Sequence, residues 1–309
     1  MRGTLTPIPL EDPAVALRTL ITERQRRLGA ELKKLRLKAE LSIADGGKRI
    51  GMGAPHLSHI EAGRTAIPAD RLRDLVDAYG GKNEPYVDEL VGMAESSGKG
   101  WWSAYRKSFP QSTLDLAELE SRATTVQTYE TLLIPGLLQT ESYMRALFRS
   151  GLPDASPEEI EQLVRFRRAR QAILGPDQPV TFQAVIHEAA LRMEVGGPHV
   201  MREQLVQLIR VSMSPHVTIQ VLPFKVGARF WHSTPFLVLG VGVPGLETVV
   251  ADHPSANLRL GDPESIARYE STFSDLSQSA LPPVVADATP ELHEQRDSWG
   301  LLQHILYTL

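Results

Sequence analysis

Residues 41–64, LSIADGGKRIGMGAPHLSHIEAGR, leave few arrangements open to the segment that contains them. Ser42, after Leu41, reads as a helix N-cap. About eight residues then carry a first helix to Ile50, and Gly51-Met52-Gly53 turns the chain with glycines that tolerate positive φ. A second helix starts at Ala54. One short helix, a tight turn and a second helix is the spacing of a helix-turn-helix, which makes double-stranded DNA the first partner to consider. In the second helix Leu57 and Ile60 lie three apart on the face expected to pack inward, while His56, Ser58, His59 and Glu61 fall on other faces. A helix for the major groove needs such a division: an apolar stripe fixes it to its scaffold, and small or hydrogen-bonding side chains at its N-terminal end approach base edges.

The flanks predict a bundle. Upstream, Leu28, Leu32, Leu35 and Ala39 form a helical stripe, with Arg24, Arg26, Arg27, Lys33, Lys34, Arg36 and Lys38 around it. Downstream, Pro68 opens a helix whose Leu72, Leu75, Val76 and Tyr79 recur at helical spacing before Gly80 stops it. Charge follows the same division. Residues 18–80 hold thirteen Lys/Arg against eight Asp/Glu, a balance of +5, in a chain whose total is −4. Basic charge is thus concentrated where phosphate would be met.

The segment from Leu28 to Arg64 resembles the Cro/cI-like (XRE-type) helix-turn-helix, in which "LS", eight residues, "G-x-x" and "S-x-I-E-x-G-[KR]" recur in order. Residues 41–42, 51 and 58–64 supply that frame. The contact positions depart from it: Ile43 stands where glutamine is usual, Gly53 where serine is usual, and His59 where arginine is frequent. Gly46 and Gly47 lie inside the first helix, at a cost of about 1 kcal/mol each relative to alanine.

A chain of 309 residues suggests about two domains, and 42% hydrophobic residues suffice for a sizeable core. No run approaches the ~18 apolar residues of a membrane span, and Met1 to Asp12 lacks an apolar signal-peptide region, so a soluble, cytoplasmic protein is expected. The absence of cysteine excludes disulfides, thiolate chemistry and zinc sites that need Cys ligands. Glu95 to Gly100 reads as a linker between a helix-turn-helix domain over 14–98 and a second domain over 99–309. Trp101 and Trp102 follow it, either as a base-stacking platform or as anchors that seat the second domain, the commoner use.

The second domain mixes helices and strands. Ser156-Pro157-Glu158-Glu159 opens a helix that Gly175-Pro176 closes. Val180 to Ile186 and Val217 to Leu222 read as strands, with a helix between them marked by Met201, Leu205, Leu208 and Ile209 and capped near Gly197-Pro198. Phe236 to Val241 and Glu247 to Ala251 are placed to pair as a hairpin. Asp262-Pro263 starts a helix with Ile266, Tyr269, Phe273, Leu276 and Ala280 at a/d spacing. A last amphipathic helix runs from about Thr289-Pro290 to Leu309, with Leu292, Trp299, Leu302 and Leu306. The stripes of these two helices suit either a dimer interface or the face of a sheet. The expected architecture is an all-α helix-turn-helix bundle followed by a mixed α/β domain.

Tyr129-Glu130, the run Ile134 to Glu141, Arg170-Gln171, Glu188 to Arg192, Gln204-Leu205, Val221 to Phe224 and Tyr269 to Leu276 resemble the C-terminal domain of actinobacterial WhiJ-like or antitoxin-like transcriptional regulators. The resemblance implies a DNA-binding regulator whose C-terminal domain receives a signal, often from a small partner protein. It supplies no catalytic residue. His187-Glu188 begins like a zinc-protease motif, but Leu191 stands where the second histidine is required. His56 and His59 have a metal-like spacing without a third ligand nearby in sequence. No phosphate-binding loop, nucleophile elbow or dinucleotide fingerprint is present.

The sequence therefore predicts a non-enzymatic, sequence-specific regulator with no cofactor, no metal and no membrane association, acting as a homodimer. Its alternatives are an antitoxin-like protein that neutralises a small partner protein, and a small-molecule receptor. Gly53, Ala54, Pro55 and His56 are the expected base-contacting residues. Ser42, Lys48, Arg49, Ser58, His59 and Arg64 are the expected phosphate contacts, and Leu57, Ile60 and Glu61 are structural.

Overall fold

A computed structural model describes residues 17–176, 180–230, 233–253, 256–285 and 297–309. The chain divides into two compact units, one ending at Ser97 and the other running from Gly98 to Leu309.

The first unit is all-helical: α1 (Glu23–Lys38), α2 (Ile43–Arg49), α3 (Ala54–Glu61), α4 (Ala69–Ala78) and α5 (Glu84–Glu95). Thr22 caps α1 in a reciprocal box with Gln25, and Ser42 caps α2 by accepting from the Asp45 N–H at 3.1 Å. Leu32, Leu57, Leu72, Leu75, Val76 and Leu90 are fully buried among these helices. α1 and α3 cross at Gly29, where a Cβ would lie 2.4 Å from the Glu61 carbonyl oxygen. The glycines inside α2 have a similar cause. A Cβ on Gly47 would meet the Met52 carbonyl oxygen at 2.4 Å, and one on Gly46 would meet Arg36 Cδ and the Tyr79 hydroxyl at 2.7 Å. Their helix-propensity cost is offset by close approach of neighbouring elements.

The second unit is built on one six-stranded sheet in the order β3-β2-β1-β4-β5-β6, with β1 Thr125–Glu130, β2 Thr181–His187, β3 Val217–Leu222, β4 Phe236–Gly240, β5 Thr248–His253 and β6 Ala256–Leu260. β1, β2 and β3 are parallel; β4 to β6 continue from β1 as an antiparallel meander. Before the sheet comes α6 (Gln111–Arg122). Between β1 and β2 lie α7 (Glu141–Gly151) and α8 (Pro157–Arg170), and between β2 and β3 lie α9 (Glu188–Arg192) and α10 (Pro198–Val211). The alternation of strand side chains produces two cores. Phe182, Ala184, Ile186, Ile219 and Val221 face α10 and the last helix, α12 (Ser298–Thr308). Tyr129, Val185, Phe236, Val238 and Val249 face α11 (Pro263–Ser279). The outer edge of β3 is covered: Leu281 and Val284 pair with Val221 and Ile219, and Ser298 Oγ accepts from the Val221 N–H at 2.9 Å.

Sequence expectations and structure agree on the capping box at Ser156, the strands over 181–187 and 217–222, the 236–253 hairpin and the Asp262 start of α11. The 156 helix ends earlier than expected: its α portion stops at Arg170, and a 3-10 turn continues to Leu174. The Thr289-Pro290 start of the last helix, with Leu292, lies outside the described residues. β1, β6, α6, α7 and α9 were not anticipated, and β1 is central to the sheet. The apolar stripes of α11 and α12 cover the two faces of the sheet, so they do not supply a dimer interface. Trp101 packs at a tilt against Phe166 with ring centroids 5.1 Å apart, and Trp102 packs with Leu114 and Ala117, the anchoring arrangement.

Gly29→Ala provides a test of the α1–α3 crossing. Helix propensity alone would make it stabilising by about 1 kcal/mol. The 2.4 Å overlap with backbone should instead make it destabilising by about 1–3 kcal/mol. Hydrogen exchange of α1 and α3 amides should then accelerate; unchanged or slower exchange would show that the helices can part without cost.

Candidate nucleic-acid interface

The turn between α2 and α3, and the end of α3, are closed by the same device. After α2 Gly51 takes φ +66, and the Met52 N–H reaches back to the Gly47 carbonyl at 2.8 Å. After α3 Gly63 takes φ +71, and the Arg64 N–H reaches the His59 carbonyl, also at 2.8 Å. Both are Schellman closures, which require a left-handed residue that glycine adopts most cheaply. The glycines of the sequence frame are explained by backbone geometry. Gly53 is the N-cap of α3, and Pro55 sits in its first turn, where a missing N–H costs nothing.

α3 is held from below by charge. Arg36 donates from Nε and Nη2 to the two Glu61 carboxylate oxygens at 2.7 and 2.9 Å, and from Nη1 to the Leu41 carbonyl at 2.6 Å. Both side chains are buried. The Glu61 hydrogen bonds hold the Arg36 guanidinium above its ordinary pKa, against the opposing effect of desolvation. A second buried carboxylate, Glu31, accepts from Arg27 Nε at 2.9 Å, Lys34 Nζ at 3.2 Å and the Tyr86 hydroxyl at 2.6 Å, tying α1 to α5. Arg24 adds a bond to the Met93 carbonyl. Three of the cations that the sequence placed around the α1 stripe, Arg24, Arg27 and Arg36, are therefore buried and structural. Long side chains at the border of an apolar stripe can turn inward when a carboxylate waits there, which hydrophobic spacing does not reveal.

On α3, Leu57, Ile60 and Glu61 are buried, while Pro55, Ser58 and Ala62 are exposed and His59 is half-buried. At 100° per residue the exposed positions form one outward face, with Pro55 in the first turn and Ser58 and His59 in the second half of the helix. Ala54 and His56 flank it. His56 borders an open cavity of about 570 Å³ with Met52, Ile60, Ile67 and Pro68, away from the centre of the outward face. Lys48, Arg49 and Arg64 are exposed; Arg49 Nη1 donates to the Ala78 carbonyl at 2.7 Å. Ser42 is exposed but engaged, its hydroxyl donating to Asp45 Oδ2 at 2.5 Å. The contact residues thus come together on one unit, with His56 and Ser42 the least directly presented. Sequence reasoning placed Glu61 in the structural set but missed its partner Arg36 and the role of Gly29. The glutamate of the frame, lying beside two apolar inward positions, was the available signal.

The histidine-based metal readings find no support in geometry. His187 caps α9, its Nδ1 accepting from the Ala189 N–H at 3.1 Å, and among the described residues no group of three or more His, Cys, Asp or Glu is placed to hold a metal ion. No described helix is long and apolar enough to cross a membrane.

The Tyr79 hydroxyl, beside the Arg36–Glu61 pair, is buried without a hydrogen-bond partner among the described residues. Burial, with the Glu61 charge second, pushes its pKa up to about 12. The unfolded chain then loses this proton first, so stability should fall as pH rises from about 10 to about 12, by on the order of 1 kcal/mol per pH unit. Tyr79→Phe should remove that part of the alkaline loss while leaving neutral-pH stability nearly unchanged. Parallel urea titrations of both proteins between pH 9 and pH 12 check it; identical pH profiles would contradict the burial of the phenol.

Two family models match the chain. One, described as a helix-turn-helix domain, covers residues 27–90. The other, a domain of unknown function designated DUF5753, covers residues 113–287, more than half of the protein. No curated protein and no solved structure matches it significantly. The chain belongs to the DUF5753 family and carries an N-terminal helix-turn-helix domain, an architecture that supports DNA-binding regulation.

Proposed function

We propose that this member of the DUF5753 family is a sequence-specific, non-enzymatic transcriptional regulator of the cytoplasm, resembling XRE-type and WhiJ-like proteins, which binds an operator as a homodimer. The observation that carries the reading is the outward face of α3, presented by the buried Arg36–Glu61 pair, with exposed Lys48 and Arg49 at the end of α2 and exposed Arg64 just past α3. The N-terminal half of α3 enters the major groove. Gly53, Ala54 and Pro55 lie nearest the bases, and Pro55 and Ala54 offer apolar surface to thymine methyl groups. His59, on the same face as Pro55, is the α3 side chain placed to hydrogen-bond a base edge or an adjacent phosphate. His56 acts from the flank. Lys48, Arg49, Ser58 and Arg64 meet phosphate and set register without reading sequence. Ser42 contributes by capping α2, so its phosphate contact is secondary.

The C-terminal unit receives a signal from a small protein or ligand. The resemblance of its motifs to antitoxin-like regulators supports the protein partner, and co-purification with a small protein would favour that use over a free regulator.

Fluorescence anisotropy on operator fragments selected from genomic DNA tests the reading. Affinity should fall with salt on a log–log slope of about −0.9 per phosphate neutralised. Arg64→Ala should weaken binding to all sequences alike and reduce that slope by about 1. A slope near zero, or an Arg64→Ala loss confined to one base position, would overturn the phosphate assignment. One helix-turn-helix reads few base pairs, so two copies should bind half-sites about 34 Å apart. Light scattering that finds a monomer on its best operator would refute the dimer.

A further inference from the structure

The DNA reading uses the outward face of α3 and leaves the cavity on its flank without a role. This cavity of about 570 Å³ is open to solvent and lies wholly within the first unit, between the turn after α2, the side of α3, the start of α4 and the end of α5. Its volume is that of a small-molecule site, for which about 300–1,000 Å³ is usual. Met52, Ile60 and Ile67 supply apolar wall. Ile60 and Ile67 are also buried members of the helical core, so the wall is held in place by packing that needs no ligand.

Two opposite charges line the same space. Arg71, in the first turn of α4, is half-buried, and Glu95, the last residue of α5, is exposed. Arg71 stands apart from its neighbours. Every other described arginine of the first unit except the exposed Arg64 donates a side-chain hydrogen bond to a described group. The Arg71 side chain has neither a hydrogen bond nor an ion pair among the described residues, and the same holds for Glu95. The two do not pair with each other across the cavity.

This arrangement selects a ligand by its charge. A purely apolar molecule would cover Arg71 and leave a guanidinium desolvated without compensation. An anion would satisfy Arg71 but meet the Glu95 carboxylate, and a cation would satisfy Glu95 but meet Arg71. A molecule with both charges on an apolar body answers all three parts of the wall. Its carboxylate accepts from the Arg71 guanidinium, which can offer two parallel N–H donors, and its ammonium donates to Glu95. The apolar part then rests on Met52, Ile60 and Ile67. His56 borders the cavity from α3, so an occupant would lie beside the helix that the DNA reading places in the groove.

We infer that this cavity binds a small zwitterion with an apolar side group, the form of an apolar α-amino acid, with Arg71 and Glu95 recognising its two charges. The inference goes beyond the operator reading, and its test contains no DNA, so either can fail alone.

Phenylalanine, 3-phenylpropanoate and 2-phenylethylammonium share one phenethyl group and carry both charges, the negative charge alone and the positive charge alone. Saturation-transfer NMR on the full-length protein should show saturable binding of phenylalanine, with both singly charged compounds weaker by about tenfold or more. Arg71→Gln should lower the affinity for phenylalanine to about that of 2-phenylethylammonium, and Glu95→Gln to about that of 3-phenylpropanoate. Neither substitution removes a hydrogen bond to a described residue, so the circular-dichroism spectrum and thermal midpoint should be unchanged. The proposal is overturned if phenylalanine does not bind saturably, if either singly charged compound binds as well as phenylalanine, or if correctly folded Arg71→Gln or Glu95→Gln retains wild-type affinity.

Discussion

The surface proposed to face DNA depends on one buried ion pair. Arg36 and Glu61 are buried charges whose desolvation cost is met only because the guanidinium and carboxylate join edge to edge and the remaining guanidinium donor finds the Leu41 carbonyl. The pair therefore fixes three things together: the end of α3, the end of α1 and the chain segment that leads into α2. Removing either partner would leave the other charge buried and alone, a loss of about 3–5 kcal/mol. Around this point the glycines have a common purpose. Gly29 lets α3 backbone approach α1, and Gly46 and Gly47 give α2 room beside Arg36, Tyr79 and Met52.

This arrangement separates two kinds of basic residue that composition counts together. Arg24, Arg27 and Arg36 are turned inward and hold the bundle, while Lys48, Arg49 and Arg64 remain on its surface. Arg26, Lys33, Lys38 and Arg73 are exposed as well, but Lys48, Arg49 and Arg64 are the exposed cations at the end of α2 and just past α3. Phosphate binding needs few cations when they are aligned with a helix that enters the groove.

The second unit uses polar side chains in another way. Its sheet changes from parallel to antiparallel at β1, and the segment after that strand is clamped by Gln139, Gln171 and Gln204 beside the Glu120–Arg170 pair. The motifs that the sequence singled out over residues 134–141, 170–171 and 204–205 converge on this one place. They are the polar framework around the connection that follows β1.

Local chemistry was legible in the sequence wherever the signal was short-range. N-caps at Ser42, Ser156 and Asp262, left-handed glycines at 51 and 63, and the hairpin around Gly242 and Gly245 are decided by a few neighbouring residues, and helix periodicity located α3, α4, α10 and α11. The same periodicity placed Leu57 and Ile60 inward on α3, but it put Glu61 on another face, where the structure buries it against Arg36. What the sequence could not decide were choices between distant partners. β1, with threonine and glutamine at alternate positions, reads as a strand only once β2 and β4 lie on either side of it. Arg36 became structural because Glu61, twenty-five residues away, completes its hydrogen bonds. The stripes of α11 and α12 suited a partner subunit or a sheet equally well, and tertiary structure assigned them to the sheet, since apolar surface has no preference among partners until geometry supplies one.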